Sequence, residues 1–152
     1  MSHFGMLERI RFAAGLPQQT LMQLQAIAEL RTFAAGEVIF RENTDCDNVF
    51  LLASGQVALD MHVEGRGQVR ILTIGSGELL GWSPLFSAGP MTATATALEA
   101  TCALSLSGAR LRELCETDHE LGFRIMRQVA VALSQRLVAT RLQLLDLFTA
   151  PA

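Results

Sequence analysis

The residues whose types and spacing could do chemistry gather in Gly77-Glu78-Leu79-Leu80-Gly81-Trp82-Ser83-Pro84-Leu85-Phe86 and, a few positions on, in Met91-Thr92-Ala93. Glycines at 77 and 81 let a backbone approach a ligand closely, because glycine adopts left-handed dihedrals without steric cost. Ser83-Pro84 reads as the cap and first position of a short helix whose free N–H groups can face an anion. The chemistry on offer is binding: the capture of a phosphate or similar small anion by backbone amides and the Thr92 hydroxyl. A tight connection between strands would use the same glycines for a purely geometric end.

The remaining reactive side chains point away from catalysis. Cys46, Cys102 and Cys115 are odd in number and far apart, with no C-x-x-C spacing, so neither a zinc site nor a disulfide framework is expected. His3, His62 and His119 are equally isolated. A metal-dependent enzyme on a small β-barrel would need imidazoles paired on one ion. No G-x-S-x-G elbow occurs. The chain is therefore not expected to be an enzyme, and no metal is called for.

Composition narrows the partners. The 152 residues are half apolar, enough for a real core. The formal charge of −3 combines twelve arginines with fifteen acidic residues and no lysine. Nothing resembles the basic stripe that neutralises nucleic-acid phosphates, so direct nucleic-acid binding is not expected. No basic leader followed by an apolar core opens the sequence, and no apolar run approaches membrane-spanning length. A cytoplasmic protein without membrane contact is the expectation.

The elements that must position the loop follow from periodicity. Pro17 after Gly15-Leu16 starts a helix with Leu21, Leu24, Ile27 and Ala28 on one face, the second of two short N-terminal helices placed within residues 1–30. From 31 to 107, runs rich in Val, Ile, Phe, Leu and Thr are broken by turn formers: Ala35-Gly36, Asn43-Thr44-Asp45, Ser54-Gly55, Glu64-Gly65-Arg66-Gly67, Gly75-Ser76-Gly77 and Ala88-Gly89-Pro90. That rhythm belongs to an antiparallel β-roll of jelly-roll type. Residues 108–149 return to helical period, with Ser107 opening one helix and Thr117 or Asp118 capping a longer one. The fold class expected is α+β, mainly β, as a single domain over 1–152.

In the last helix Met126, Ala130, Leu133, Leu137, Thr140, Leu144 and Leu147 keep an alternating 4-3 spacing, the seam of a parallel homodimer. Val129, Leu142 and Leu145 add apolar surface beside it, while Arg127, Gln128, Gln135 and Arg136 keep the remaining surface polar. Packing of the seam on the chain's own barrel is the alternative. Thr140, the single polar residue in the seam, can set register, meet a ligand, or bond back to its own helix carbonyl.

The runs Phe33-Ala34-Ala35-Gly36-Glu37-Val38-Ile39-Phe40-Arg41-Glu42-Asn43, Asn48-Val49-Phe50-Leu51-Leu52-Ala53-Ser54-Gly55-Gln56-Val57 and Gly77-Glu78-Leu79-Leu80-Gly81 occur in that order. In them the chain resembles the cyclic nucleotide-binding domain of the CRP/FNR regulators, over nearly its whole length. The resemblance implies a β-roll flanked by N-terminal helices and a long C-terminal dimerisation helix. It also implies a ligand site at Leu80, Gly81, Trp82, Ser83, Met91, Thr92 and Ala93, reached from the helix by Thr140, with Arg141 beside it.

Two positions depart from the family pattern. A glutamate that bonds the ribose hydroxyl in nucleotide-binding members is replaced by Trp82, and an arginine that pairs with the cyclic phosphate is replaced by Met91. No arginine lies between Ile71 and Ser107, so no shift of alignment restores it. Removing a buried charge pair costs roughly 2–5 kcal/mol, about thirty- to several-thousand-fold in affinity. Tight cAMP or cGMP binding in the usual manner is therefore not expected. Two readings stand side by side: Trp82 and Met91 fill the old pocket, or they reshape it for another small anionic or planar ligand. Family transcription factors continue beyond the long helix into a helix-turn-helix, whereas this sequence closes at Ala150-Pro151-Ala152, so no DNA-binding part of its own is expected. The function expected is a regulatory sensor module with degenerate or altered ligand specificity. The alternatives are a ligand-free dimeric module for an unidentified protein partner, and a cyclic-nucleotide binder of non-standard mode.

Overall fold

The computed structural model describes residues 6, 7, 9–86 and 89–149, with side chains up to residue 146. Residues 6, 7 and 9 are helical, a 3-10 turn covers Arg11–Ala13, and helix α1 spans Gln18–Ile27 behind Pro17. Strand β1 follows at Ala28–Phe33 without an intervening turn, three residues earlier than the spacing suggested. Four of its six residues are exposed. That leaves no alternating pattern to mark its start.

Among the described residues, eight strands form two four-stranded antiparallel sheets. The first runs β1, β8 (Thr101–Ser107), β3 (Asn48–Ser54), β6 (Leu79–Leu80). The second runs β2 (Val38–Phe40), β7 (Thr94–Ala97), β4 (Gln56–Val63), β5 (Gly67–Gly75). The β4–β5 hairpin turns where the Glu64-to-Gly67 run was expected to turn it, with Val63 paired to Gly67. Strand β3 reads Val49-Phe50-Leu51-Leu52 without alternation because both its faces are buried. Phe50 and Leu52 enter the interior of the roll with Phe33, Phe40, Val57 and Ile74. Val49 and Leu51 join a second core under the helices, with Leu24, Leu104, Ile125 and Val129.

The four-residue α2 (Ser83–Phe86) follows β6, and two helices follow β8: α3 (Gly108–Thr117) and α4 (His119–Thr149). Ser107 Oγ accepts the Arg110 N–H at 3.3 Å and Asp118 Oδ1 accepts the Leu121 N–H at 3.1 Å, so each helix starts on a side-chain cap and Asp118 takes the role shared in expectation with Thr117. Gly108 allows α3 to pass α2, since a Cβ there would meet the Pro84 carbonyl carbon at 2.7 Å. Helix α4 changes partners along its length. Leu121, Ile125 and Val129 are buried on the helix-side core, whereas residues 137–146 are exposed throughout. Toward its far end Gln143 Nε2 donates to the Arg70 carbonyl of β5 at 3.0 Å.

Candidate functional site

The glycine loop is built by backbone bonds to β3. Gly77 N–H donates to the Leu52 carbonyl at 2.7 Å, and Leu52 N–H returns a bond to the Glu78 carbonyl at 3.0 Å. The Glu78 carboxylate closes the turn by accepting the Gly75 N–H at 2.5 Å, and the Gly77 carbonyl accepts the Phe12 N–H at 3.0 Å. These bonds aim Gly81 into the roll at φ +75°, the left-handed region that favours glycine.

What Gly81 approaches is protein. A Cβ there would meet Phe40 Cε2 at 3.1 Å and Met91 Cε at 3.3 Å. Met91 is only 3% exposed, and its main chain is tied to the preceding loop, N–H to the Thr44 carbonyl at 2.9 Å and carbonyl to the Asn43 N–H at 2.8 Å. The hollow left among Phe40, Leu59, Gly81, Trp82, Met91 and Ala93 measures about 40 Å³. That is space for a few waters and for no nucleotide. Met91 thus occupies the interior behind Gly81.

Other expected site residues sit differently from the sequence reading. Leu80 is fully buried in the roll core opposite Phe50. Ser83 is the first helical residue of α2 rather than its cap, and Trp82 O accepts the Leu85 N–H at 2.9 Å. A single turn has little dipole to offer an anion, and Pro84 contributes no N–H. The free N–H groups expected at Ser83-Pro84 thus belong to one short turn. Thr92 is exposed, and Ala93 is half-buried against the roll core. Thr140 and Arg141 are exposed and are not brought to the loop; Thr140 Oγ1 donates to the Arg136 carbonyl at 2.7 Å, the back-bonded reading.

The seam residues divide as α4 does. Met126 and Leu133 are half-buried against the chain's own helix-side core, whereas Ala130, Leu137 and Leu144 are exposed. Leu147 lies beyond the side chains described.

Trp82 turns toward α4. It packs on the helix-side core, and the Arg136 guanidinium carbon lies 5.3 Å from its ring centroid, a cation–π stack. Arg136, read from sequence as a surface residue, instead lines a cleft of about 270 Å³ between β5, the Gly77–Leu79 turn, Phe12 and α4. Both its terminal nitrogens are shut off from solvent and have no hydrogen-bond partner among the described residues. Burial pushes its pKa down to about 10, partly opposed by the Glu78 carboxylate, so the group is still a cation at neutral pH. Gln128, also read as surface polar, donates its Nε2 to the Phe12 carbonyl at 2.6 Å and braces the cleft. Among the described residues no cluster of three or more His, Cys, Asp or Glu side chains is placed to hold a metal, and no helix is long and apolar enough to cross a membrane.

The family model described as cyclic nucleotide-binding domain matches residues 30–118. A CRP-like cAMP-activated global transcriptional regulator from Mycobacterium tuberculosis is 28% identical over 76% of this chain, which spans 50% of that regulator. The chain spans half or less of the curated relatives it matches. A crystal structure from Geobacter metallireducens GS-15, assigned as a cyclic nucleotide-binding protein, is 33% identical with a TM-score of 0.79, covering 90% of this chain and 99% of that one. The cyclic nucleotide-binding domain from Methylobacillus flagellatus KT, 17% identical with a TM-score of 0.82 over 95% of this chain and 82% of that one, shares the fold.

Proposed function

This chain belongs to the cyclic nucleotide-binding domain family, and from that premise we propose that it is a non-catalytic regulatory module whose nucleotide loop has been closed and whose signalling element is α4. The observation that carries the reading is Met91, buried at the place where the family resemblance puts a phosphate-binding arginine and packed against Gly81. A cyclic phosphate there would have to displace a core side chain and would find no cation in exchange.

The output is assigned to the projecting half of α4. Leu137, Val138, Leu142, Leu144 and Leu145 are exposed on one helix, more apolar surface than a solvated helix keeps uncovered. A second copy meeting it along the 4-3 seam would cover Leu137 and Leu144, and leave Val138, Leu142 and Leu145 on the outer face of the helix. Regulation is then a population shift: whatever binds one arrangement of α4 better than another moves the equilibrium by that difference in affinity. The same exposed leucines favour a second reading, a module that holds a different protein partner through α4.

Thermal unfolding with excess cAMP or cGMP, with AMP and inorganic phosphate as controls, tests the closed loop. No shift is expected. A ligand at a hundred times its Kd adds roughly 2.7 kcal/mol, about 5–10 °C in this size range, and a rise of that order specific to a cyclic nucleotide would sink the reading. Sedimentation at micromolar concentration is expected to show a dimer that Leu144→Glu dissociates. A monomer would leave α4 to a foreign partner.

A further inference from the structure

We propose that the outer face of the second half of α4 docks an amphipathic helix of another protein, one whose apolar line is flanked by acidic side chains. The inference deepens the reading of α4 as the signalling element and rests on it, naming the partner's chemistry while leaving the 4-3 seam to a second copy.

Two apolar lines run along this half of the helix. Leu137 and Leu144 belong to the seam, and Val131, Val138 and Leu142 form the other, at steps of seven and four. At 3.6 residues per turn Val138 sits about 100° around the helix from Leu137, so an occupant of one line leaves the other uncovered. All three residues of the second line are exposed. The roll meets a third side of α4, where Ala132 and Arg136 wall the cleft and Gln143 donates to the Arg70 carbonyl; Val131 marks the border, in the cleft wall yet open to solvent. Single exposed apolar residues are ordinary on a surface. Three in register along about three turns of one helix form a strip that association would bury.

Charge narrows the occupant. Between Glu120 and Asp146, α4 holds Arg124, Arg127, Arg136 and Arg141 and no acidic residue. Arg124 is paired with Glu120, and the terminal nitrogens of Arg136 are shut off from solvent. Arg127 and Arg141 are exposed and join no ion pair among the described residues. With Ser134 midway they form a polar row at steps of seven, between the two apolar lines. A helix lying on Val131, Val138 and Leu142 would meet this row along one edge, where carboxylates are attracted and lysines or arginines repelled. A second copy is a poor occupant of this line, because its own α4 has no carboxylate between Glu120 and Asp146 to offer. A membrane surface also takes basic, apolar helix faces. This line has no aromatic side chain, and the chain carries a net charge of −3, which an anionic surface repels; both favour a protein helix.

The probe is a labelled synthetic helix of about four turns with leucine along one line and glutamate on both flanks, beside a twin with lysine in place of glutamate. Each is titrated with the full chain by fluorescence anisotropy. The glutamate peptide is expected to bind in the micromolar range and its twin about tenfold more weakly, the gap closing in high salt. Leu142→Ser should weaken the glutamate peptide by about tenfold without changing sedimentation, and Arg127→Glu combined with Arg141→Glu should invert the preference between the twins. Should Leu142→Ser fail to fold, Val138→Ser takes its place with the same loss expected. Binding of neither peptide, equal binding of both, or indifference to the substitution on the outer line would overturn the docking proposal and leave the regulatory reading in place. Leu144→Glu, which cuts the seam, should leave peptide binding unchanged; a chain already monomeric that still prefers the glutamate peptide would sink the homodimer and spare this face. Flotation with phosphatidylglycerol vesicles is expected to leave the chain in solution, and capture that Leu142→Ser abolishes would give the face to a membrane instead.

Discussion

The hollow behind Gly81 and the cleft beneath α4 differ in almost every respect that matters to a ligand. The first measures about 40 Å³, is lined by no charged side chain and is bordered by the buried Met91; the second measures about 270 Å³ and is lined by Arg11, Glu78 and Arg136. The glycine spacing that suggests anion binding belongs to the closed hollow, where Gly81 makes room for Phe40 and Met91. The same glycine spacing thus also serves the backbone path that the strands on either side need.

That contrast can be broken most forcefully by placing a cation in the closed hollow. Met91→Arg is expected to cost about 3–5 kcal/mol, as an uncompensated buried charge does, and thermal unfolding should register a fall of about 10 °C or more. Adding Trp82→Glu to that variant is expected to leave it blind to cAMP in calorimetry; a regained response would mean the hollow opens readily. A smaller effect should come from Gly81→Ala, where a methyl at positive φ would crowd Phe40. A cost of about 1–3 kcal/mol is expected by chemical denaturation, and an unchanged midpoint would show that the hollow has slack. Smallest of all, Thr140→Val should alter stability by less than about 0.5 kcal/mol, because its hydroxyl donates to the Arg136 carbonyl of its own helix. A clear change in dimer affinity would return Thr140 to the role its place in the seam suggests.

Features legible in the sequence were those that short-range chemistry decides. The Glu64-to-Gly67 turn, the cap at Ser107 and the cap at Asp118 each rest on residues within a few positions of one another. The 4-3 spacing of α4 was legible too, but the point where it leaves the core was not, since that depends on where the roll ends beneath it. The cleft was hidden for the same reason. Its bracing bond joins Gln128 to Phe12, 116 positions apart, and Arg136 has the composition of a surface residue, as arginines usually are. Ser83 misled because a cap is recognised by the helix that follows it, and only one turn follows.

Strand β3 has a consequence that reaches past either hollow. Val49 and Leu51 serve one core, Phe50 and Leu52 the other. Sliding β3 by one residue against β8, where Phe50 faces Ser105 and Leu51 faces Leu104, would exchange the contents of both cores at once. Its alignment is thus locked from two directions, and no small breathing motion can free it. Amide protons along β3 should be the last in the chain to exchange with deuterated solvent, at the rate of global opening, while those at the far end of α4 exchange early.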